Sequence, residues 1–121
     1  MFHNILMEEP LRARACHLFA ALSNPKRLEI VECLLDGERS VGEIAALTGM
    51  GQSGASQHLA HLARAGVLVS TAQGTTRLYR VRGPRVGQIL TIIGEFCRVH
   101  GLYGEGEDES DATESEAAIR G

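Results

Sequence analysis

The sequence predicts a mainly α-helical protein with one small β-hairpin, and three consecutive signals in residues 40–81 carry that prediction. A short capped helix comes first. A second helix follows, its polar face holding Gln, Ser and His. A hairpin studded with Arg closes the run. Short helix, turn, helix and charged hairpin, in that order, are the parts of a winged helix-turn-helix.

Residues 1–9 read as a loose arm, and residues 10–104 as one domain. Over 10–22, Leu11, Ala15, Leu18, Phe19 and Leu22 recur at helical spacing. Ser23 and Asn24 stop that helix; Asn24 caps the next and Pro25 occupies its first position. Leu28, Ile30, Val31, Leu34 and Leu35 form the apolar face of this second helix, which Asp36-Gly37 ends. Ser40 and Glu43 make a capping box for a short helix over 41–47. Residues 48–51, Thr-Gly-Met-Gly, turn the chain. The next helix spans 52–65 with Ala55, Leu59, Leu62 and Ala65 inward, and Gly66 ends it. Val67, Val69 and Thr71 alternate as a strand, Gln73-Gly74 turns, and Thr76, Leu78 and Arg80 return. A last helix over 86–99 carries Ile89, Leu90, Ile92, Ile93 and Phe96. Such a helix needs an apolar partner: the first helix of the same chain, or that helix in a second chain. The body alone is too small to bury both well, which favours a homodimer through the first and last helices.

Composition narrows the setting. The chain has 121 residues, is 44% hydrophobic and 22% charged, and lacks Trp. That is ordinary for one globular domain with an aliphatic core. No apolar run approaches the roughly 18–20 residues that span a bilayer. The N-terminus lacks the order of a secretion signal, so a cytoplasmic location without membrane association is expected. The net charge of −3 hides an asymmetry. Residues 105–121 hold seven acids and one base; removing them from 15 acids and 12 bases leaves 8 and 11, a body of charge +3. This acidic segment is expected to be a disordered tail, either solubilising or an electrostatic competitor for a basic face.

That basic face is the candidate site. Gln52, Ser53, Ser56, Gln57 and His61 project from the polar side of the helix over 52–65. Gln pairs bidentately with adenine, and Ser reaches base edges or phosphate. No Lys or Arg lies between Gln52 and Ala63, so charge neutralisation must come from Arg64 and from the hairpin arginines Arg77, Arg80, Arg82 and Arg85. These arginines suit phosphates or the minor groove. Double-stranded DNA is therefore the expected partner; the plainer alternative is a solvated polar surface. His58 precedes Leu59 on a face that must pack inward, so it reads as partly buried, structural or phosphate-contacting. No Ser-His-Asp arrangement, phosphate-binding Gly loop or HExxH is present, and an enzyme is not expected.

The run LSNPKRLEIVECLLDGERSVGEIAALTG, followed by SGASQHLAHLARAGVLVSTAQGTTRLYRV, resembles the ArsR/SmtB family of bacterial repressors over about residues 11–99. The resemblance implies a winged-helix homodimer, built on its first and last helices, that sits on an inverted-repeat operator until an inducer weakens it. One departure is Gly51, where the reading helix of the family opens with Ser; Gly54 then sits in its first turn. Glycine costs a helix about 1 kcal/mol relative to alanine.

The resemblance also frames the inducer. Where arsenic sensors carry a CVC pair, this chain has Ser40-Val41-Gly42, and the last helix lacks the Asp-x-His of zinc sensors. Cys33 on the second helix and Cys97 on the last resemble the pair used by the persulfide and redox branch, with each cysteine displaced by about one residue. Two alternatives stay open. Cys16, His17, Cys97 and His100 are soft ligands for zinc, nickel or cobalt if the end helices pack across a dimer. An inducer-independent DNA-binding factor is the other. No cofactor is required for DNA binding itself.

Overall fold

The structure, a computed structural model, describes residues 6–101. Residues 1–5 of the expected arm and all of the expected acidic tail over 105–121 lie outside the described residues. The chain divides into two compact units, one ending at Pro84 and one starting at Arg85.

The first unit holds α1 (Leu11–Leu22), α2 (Pro25–Leu34), β1 (Arg39–Ser40), α3 (Val41–Thr48), α4 (Gln52–Arg64), β2 (Leu68–Gln73) and β3 (Thr76–Val81). Local chemistry sets the boundaries. Asn24 caps α2 by accepting from the Arg27 amide at 3.0 Å, with Pro25 at the first helical position. The Ser40–Glu43 capping box is complete: Ser40 N donates to Glu43 Oε1 at 2.8 Å, and Glu43 N donates to Ser40 Oγ at 3.2 Å. Gly49, with φ of 69°, closes α3 in the left-handed region that favours glycine. Gly66, with φ of 86°, follows α4 in the same way.

The core is aliphatic, as the composition requires. Ile30, Val31 and Leu34 of α2, Ile44 of α3, and Ala55, Leu59 and Leu62 of α4 are buried against Val67, Leu68 and Tyr79. Burying a side chain of this size is worth roughly 1.5–3 kcal/mol. Thr48 is the one buried polar residue among those described, and its hydroxyl donates to the Ile44 carbonyl at 2.7 Å.

The structure departs from expectation at three places. The sheet has three strands rather than two, because β1 pairs with β3 antiparallel, Arg39 opposite Tyr79 and Ser40 opposite Leu78. Two residues are too few for a periodic signal. Leu35 leaves the core face of α2, standing exposed just past its last turn. On α1 only Ala21 is buried, whereas Leu11 and Phe19 are exposed. Helical spacing shows that those residues share a face, but not what covers it.

Among the described residues the second unit comprises α5 (Arg85–Val99) and the two residues that follow it, and no residue of α5 is buried. Ile92, Phe96 and Val99 are 64%, 55% and 79% exposed. His100 follows the helix, its ring 4.4 Å from that of Phe96 between centroids.

Candidate nucleic-acid interface

The helix-turn-helix is assembled by short-range contacts. Met50 N donates to Ala45 O at 3.1 Å, and Lys26 Nζ reaches the Thr48 carbonyl at 3.3 Å, supplying a positive charge at the end of α3. Gly42 on α3 leaves room for α4: a Cβ there would stand 3.2 Å from Gln52 Nε2. Gln52 is exposed, yet its amide rests against the first helix of the pair.

At about 100° per residue, α4 has three kinds of surface. Ala55, Leu59 and Leu62 form the buried stripe. Ser53, Gln57 and Arg64 lie opposite it and are exposed. Ser56, also exposed, lies on the same flank as Gln52, and His58 and His61 lie on the other, both half-buried. The outward stripe thus presents neutral donors and acceptors along most of its length, with its one arginine in the last turn. Gly51 caps α4 without a side-chain hydrogen bond, and nothing lies within 4 Å of where a Cβ on Gly54 would be.

The hairpin carries the other cations. Register pairs Ala72 with Arg77 and Val69 with Arg80. Alternation along β3 puts Arg77 on the face of buried Tyr79 and Arg80 on the opposite face. Both are exposed. Arg77 Nη1 donates to Ser70 Oγ at 3.0 Å, which orients it across the ribbon. Arg82, although nearby in sequence, serves the fold: its Nε donates to the Gly66 carbonyl at 2.8 Å, while its amide bonds Val67 O. Arg85 is exposed at the start of α5.

A residue absent from the sequence reading, Arg27, organises the His58 flank. Its Nε donates to Ala21 O at 2.6 Å and its Nη2 to Ala20 O at 3.3 Å, tying α2 to the last turn of α1. Its Nη1 lies 3.4 Å from His58 Nδ1. The pKa of His61 is held below the ordinary histidine value by partial desolvation, then by Arg27, Arg64 and His58. The only sequence signal for Arg27 was its place in the NPKR run, which reads as a helix start.

The cysteines are placed individually. Cys16 is exposed; Cys33 and Cys97 are half-buried. The Cys33 thiol is pushed up by burial and by Glu29, with Arg39 opposing. Cys16 and His17 are exposed neighbours on α1, and Cys97 and His100 lie at the end of α5 and just beyond it. Among the described residues, no three His, Cys, Asp or Glu side chains gather as a metal site within one chain. No helix there is long and apolar enough to cross a membrane.

A short helix, a glycine turn, an outward polar helix and an arginine hairpin define a DNA-binding winged helix-turn-helix regulator. The family described as bacterial regulatory protein, arsR family, matches residues 24–70. The nodulation protein NolR of Rhizobium meliloti is 35% identical over 106 residues, 88% of this chain and 80% of NolR. The transcriptional activator HlyU of Vibrio cholerae is 34% identical over 98 residues, covering 80% of this chain and 91% of HlyU. The homodimeric winged helix-turn-helix DNA-binding domain of a possible ArsR-family regulator from Mycobacterium bovis superposes with a TM-score of 0.72 at 28% identity, over 89% of this chain and 100% of that domain. This chain belongs to the arsR family of bacterial regulatory proteins.

Proposed function

We propose that the chain is a homodimeric transcriptional repressor that holds an inverted-repeat operator through α4 and the hairpin and is released by an inducer. One observation carries the DNA reading: a neutral hydrogen-bonding stripe on α4 stands with a hairpin that bears arginines on both faces. Gln52, Ser53, Ser56 and Gln57 read or position bases, and His61, Arg64, Arg77 and Arg80 meet the backbone. The exposed apolar residues of α1 and α5, with the homodimeric relative, support pairing through those helices. Selection from random duplexes followed by footprinting tests it. An inverted repeat is expected, its half-sites about one helical turn, or a multiple, apart. A single unpaired half-site breaks the dimer reading. Gln57→Ala should relax one base position per half-site and cost about 1–3 kcal/mol on the best sequence. Equal loss on selected and random DNA makes Gln57 a positioning contact instead.

The inducer in this reading is an oxidant or reactive sulfur species acting on Cys33 and Cys97. Two thiols lose two protons and two electrons to the oxidant as they join, directly or through added sulfur. The missing CVC pair and Asp-x-His support thiol chemistry over the metal sites of other members. The raised Cys33 thiol makes the reaction slow at neutral pH and faster as pH rises. Mass spectrometry of persulfide- or peroxide-treated protein beside a DNA-release assay checks it. No Cys33–Cys97 link, or unchanged release in Cys33→Ser, sinks it. Zinc, nickel or cobalt binding that needs Cys16, His17, Cys97 and His100 establishes the metal alternative, and indifference to all inducers makes the chain a constitutive DNA-binding factor.

A further inference from the structure

The flank of α4 that carries His58 and His61 gathers cations from three helices. One recess is lined by Arg27, Gln57, His58, His61 and Arg64, with Ala60. A second shares His61 and Arg64 and adds His17 and Ala20 of α1. Neither recess is lined by an Asp or Glu among the described residues. Neither Arg27 nor Arg64 is ion-paired with a described carboxylate. Arg27 is held by the α1 carbonyls, so its charge is a fixed part of the recess floor. Cations packed together without a counter-ion repel one another, and a bound oxyanion removes that repulsion while accepting charge-assisted hydrogen bonds.

We propose that Arg27, His58, His61 and Arg64 form a phosphate site that takes an operator backbone phosphate beside the bases met by Gln57, and that His61 takes up a proton as the phosphate seats. This rests on the DNA-binding reading above and adds to it a specific contact and a pH dependence. The backbone is the source because Gln57 lines the same recess and also stands on the outward stripe of α4, so a base edge and a neighbouring phosphate are met together. The groups facing His61 are His17 from α1, Arg27 from α2, and His58 and Arg64 from α4. All of them are cationic or become so on protonation. In the free protein partial desolvation, then Arg27, Arg64 and His58, hold the His61 pKa below its ordinary value. A phosphate reverses the sign of the local field and raises its pKa. Binding then tightens as pH falls through the window between the free and bound values, and levels off below the free value.

The test uses the full chain, a duplex of about three helical turns and arbitrary sequence, and low salt. Imidazole NMR titration of His61 is followed with and without duplex, and affinity is measured from about pH 8 to about pH 6. The expected result is an upward move of the His61 midpoint on adding duplex and a three- to tenfold tightening across that range, at most tenfold per pH unit for one proton. His61→Gln should lose most of the pH dependence. Arg64→Gln, with circular dichroism to verify folding, should lower the salt slope by about 0.9. Duplex bound with an unmoved His61 midpoint, or equal pH dependence in His61→Gln, overturns the site and leaves the DNA-binding reading intact. No binding of duplex at low salt overturns that reading itself. If inorganic phosphate at constant ionic strength moves the His61 midpoint and duplex does not, a free anion is the ligand and the backbone assignment falls.

Discussion

Helices α4 and α5 have the same kind of amphipathic pattern and opposite fates. In α4 the apolar positions Ala55, Leu59 and Leu62 are all fully buried. In α5 the equivalent stripe, Ile89, Ile92, Ile93 and Phe96, is exposed along its length. One helix finds its apolar partner among α2, α3 and β2; none of the residues of the other is buried. A periodic apolar stripe therefore reports a demand for burial, and only the tertiary structure shows whether the same chain meets it. The outer faces differ as well. That of α4 is mostly neutral, with its one arginine, Arg64, in the last turn.

The contrast can be broken most directly in the cores of the two helices. Leu59→Ala should lower unfolding stability by about 2–5 kcal/mol, independently of protein concentration. Phe96→Ala should act on association: its melting temperature should depend on protein concentration, and sedimentation should show more monomer. A concentration-independent loss from Phe96→Ala would mean that α5 is packed within its own chain. The division of labour between helix and hairpin comes next in size. Arg80→Ala should lower the slope of log affinity against log salt by about 0.9, and Arg77→Ala by a similar step. Unchanged slopes in both would remove the hairpin from the interface.

Smaller effects sharpen the picture at the start of α4. Gly54→Ala places a methyl in open space and should stabilise the helix by about 0.5–1 kcal/mol; Gly51→Ser should add only a few tenths. Calorimetry measures both, and tighter DNA binding alongside would show that this turn is ordered at a cost when DNA binds. The smallest effect lies at the α3 cap. The Ser40 backbone N–H, then its hydroxyl, hold the Glu43 carboxyl below its ordinary value. Its contribution is present above the unfolded value and lost as pH falls through the lower folded one. Glu43→Gln should flatten that acid limb; an unchanged profile would mean the capping bond carries no stability.

Much of the fold was legible because its signals are local. Asn24-Pro25, Ser40 with Glu43, Gly49 and Gly66 each act within a few residues, through a cap, a reciprocal hydrogen bond or a left-handed turn. The exposed Ser53 and Gln57 side chains of α4 were legible for a similar reason, since helical spacing places them opposite Leu59 and Leu62. Arg82 was not: it has the composition of an interface residue, and only its bond to the Gly66 carbonyl shows that it holds the hairpin to the end of α4.

By itself the sequence determined the identity and order of the elements, the aliphatic core of α2 to α4, and the neutral outer stripe beside a charged hairpin. Those follow from spacing, caps and turn chemistry, which act over a few residues. Tertiary structure alone decided the third strand, the exposure of Leu35, and the meeting of Arg27 with His58. Each of these depends on residues distant in sequence: Arg39 and Tyr79 are paired only by the sheet, and Arg27 reaches His58 across 31 residues only once α2 and α4 share a core.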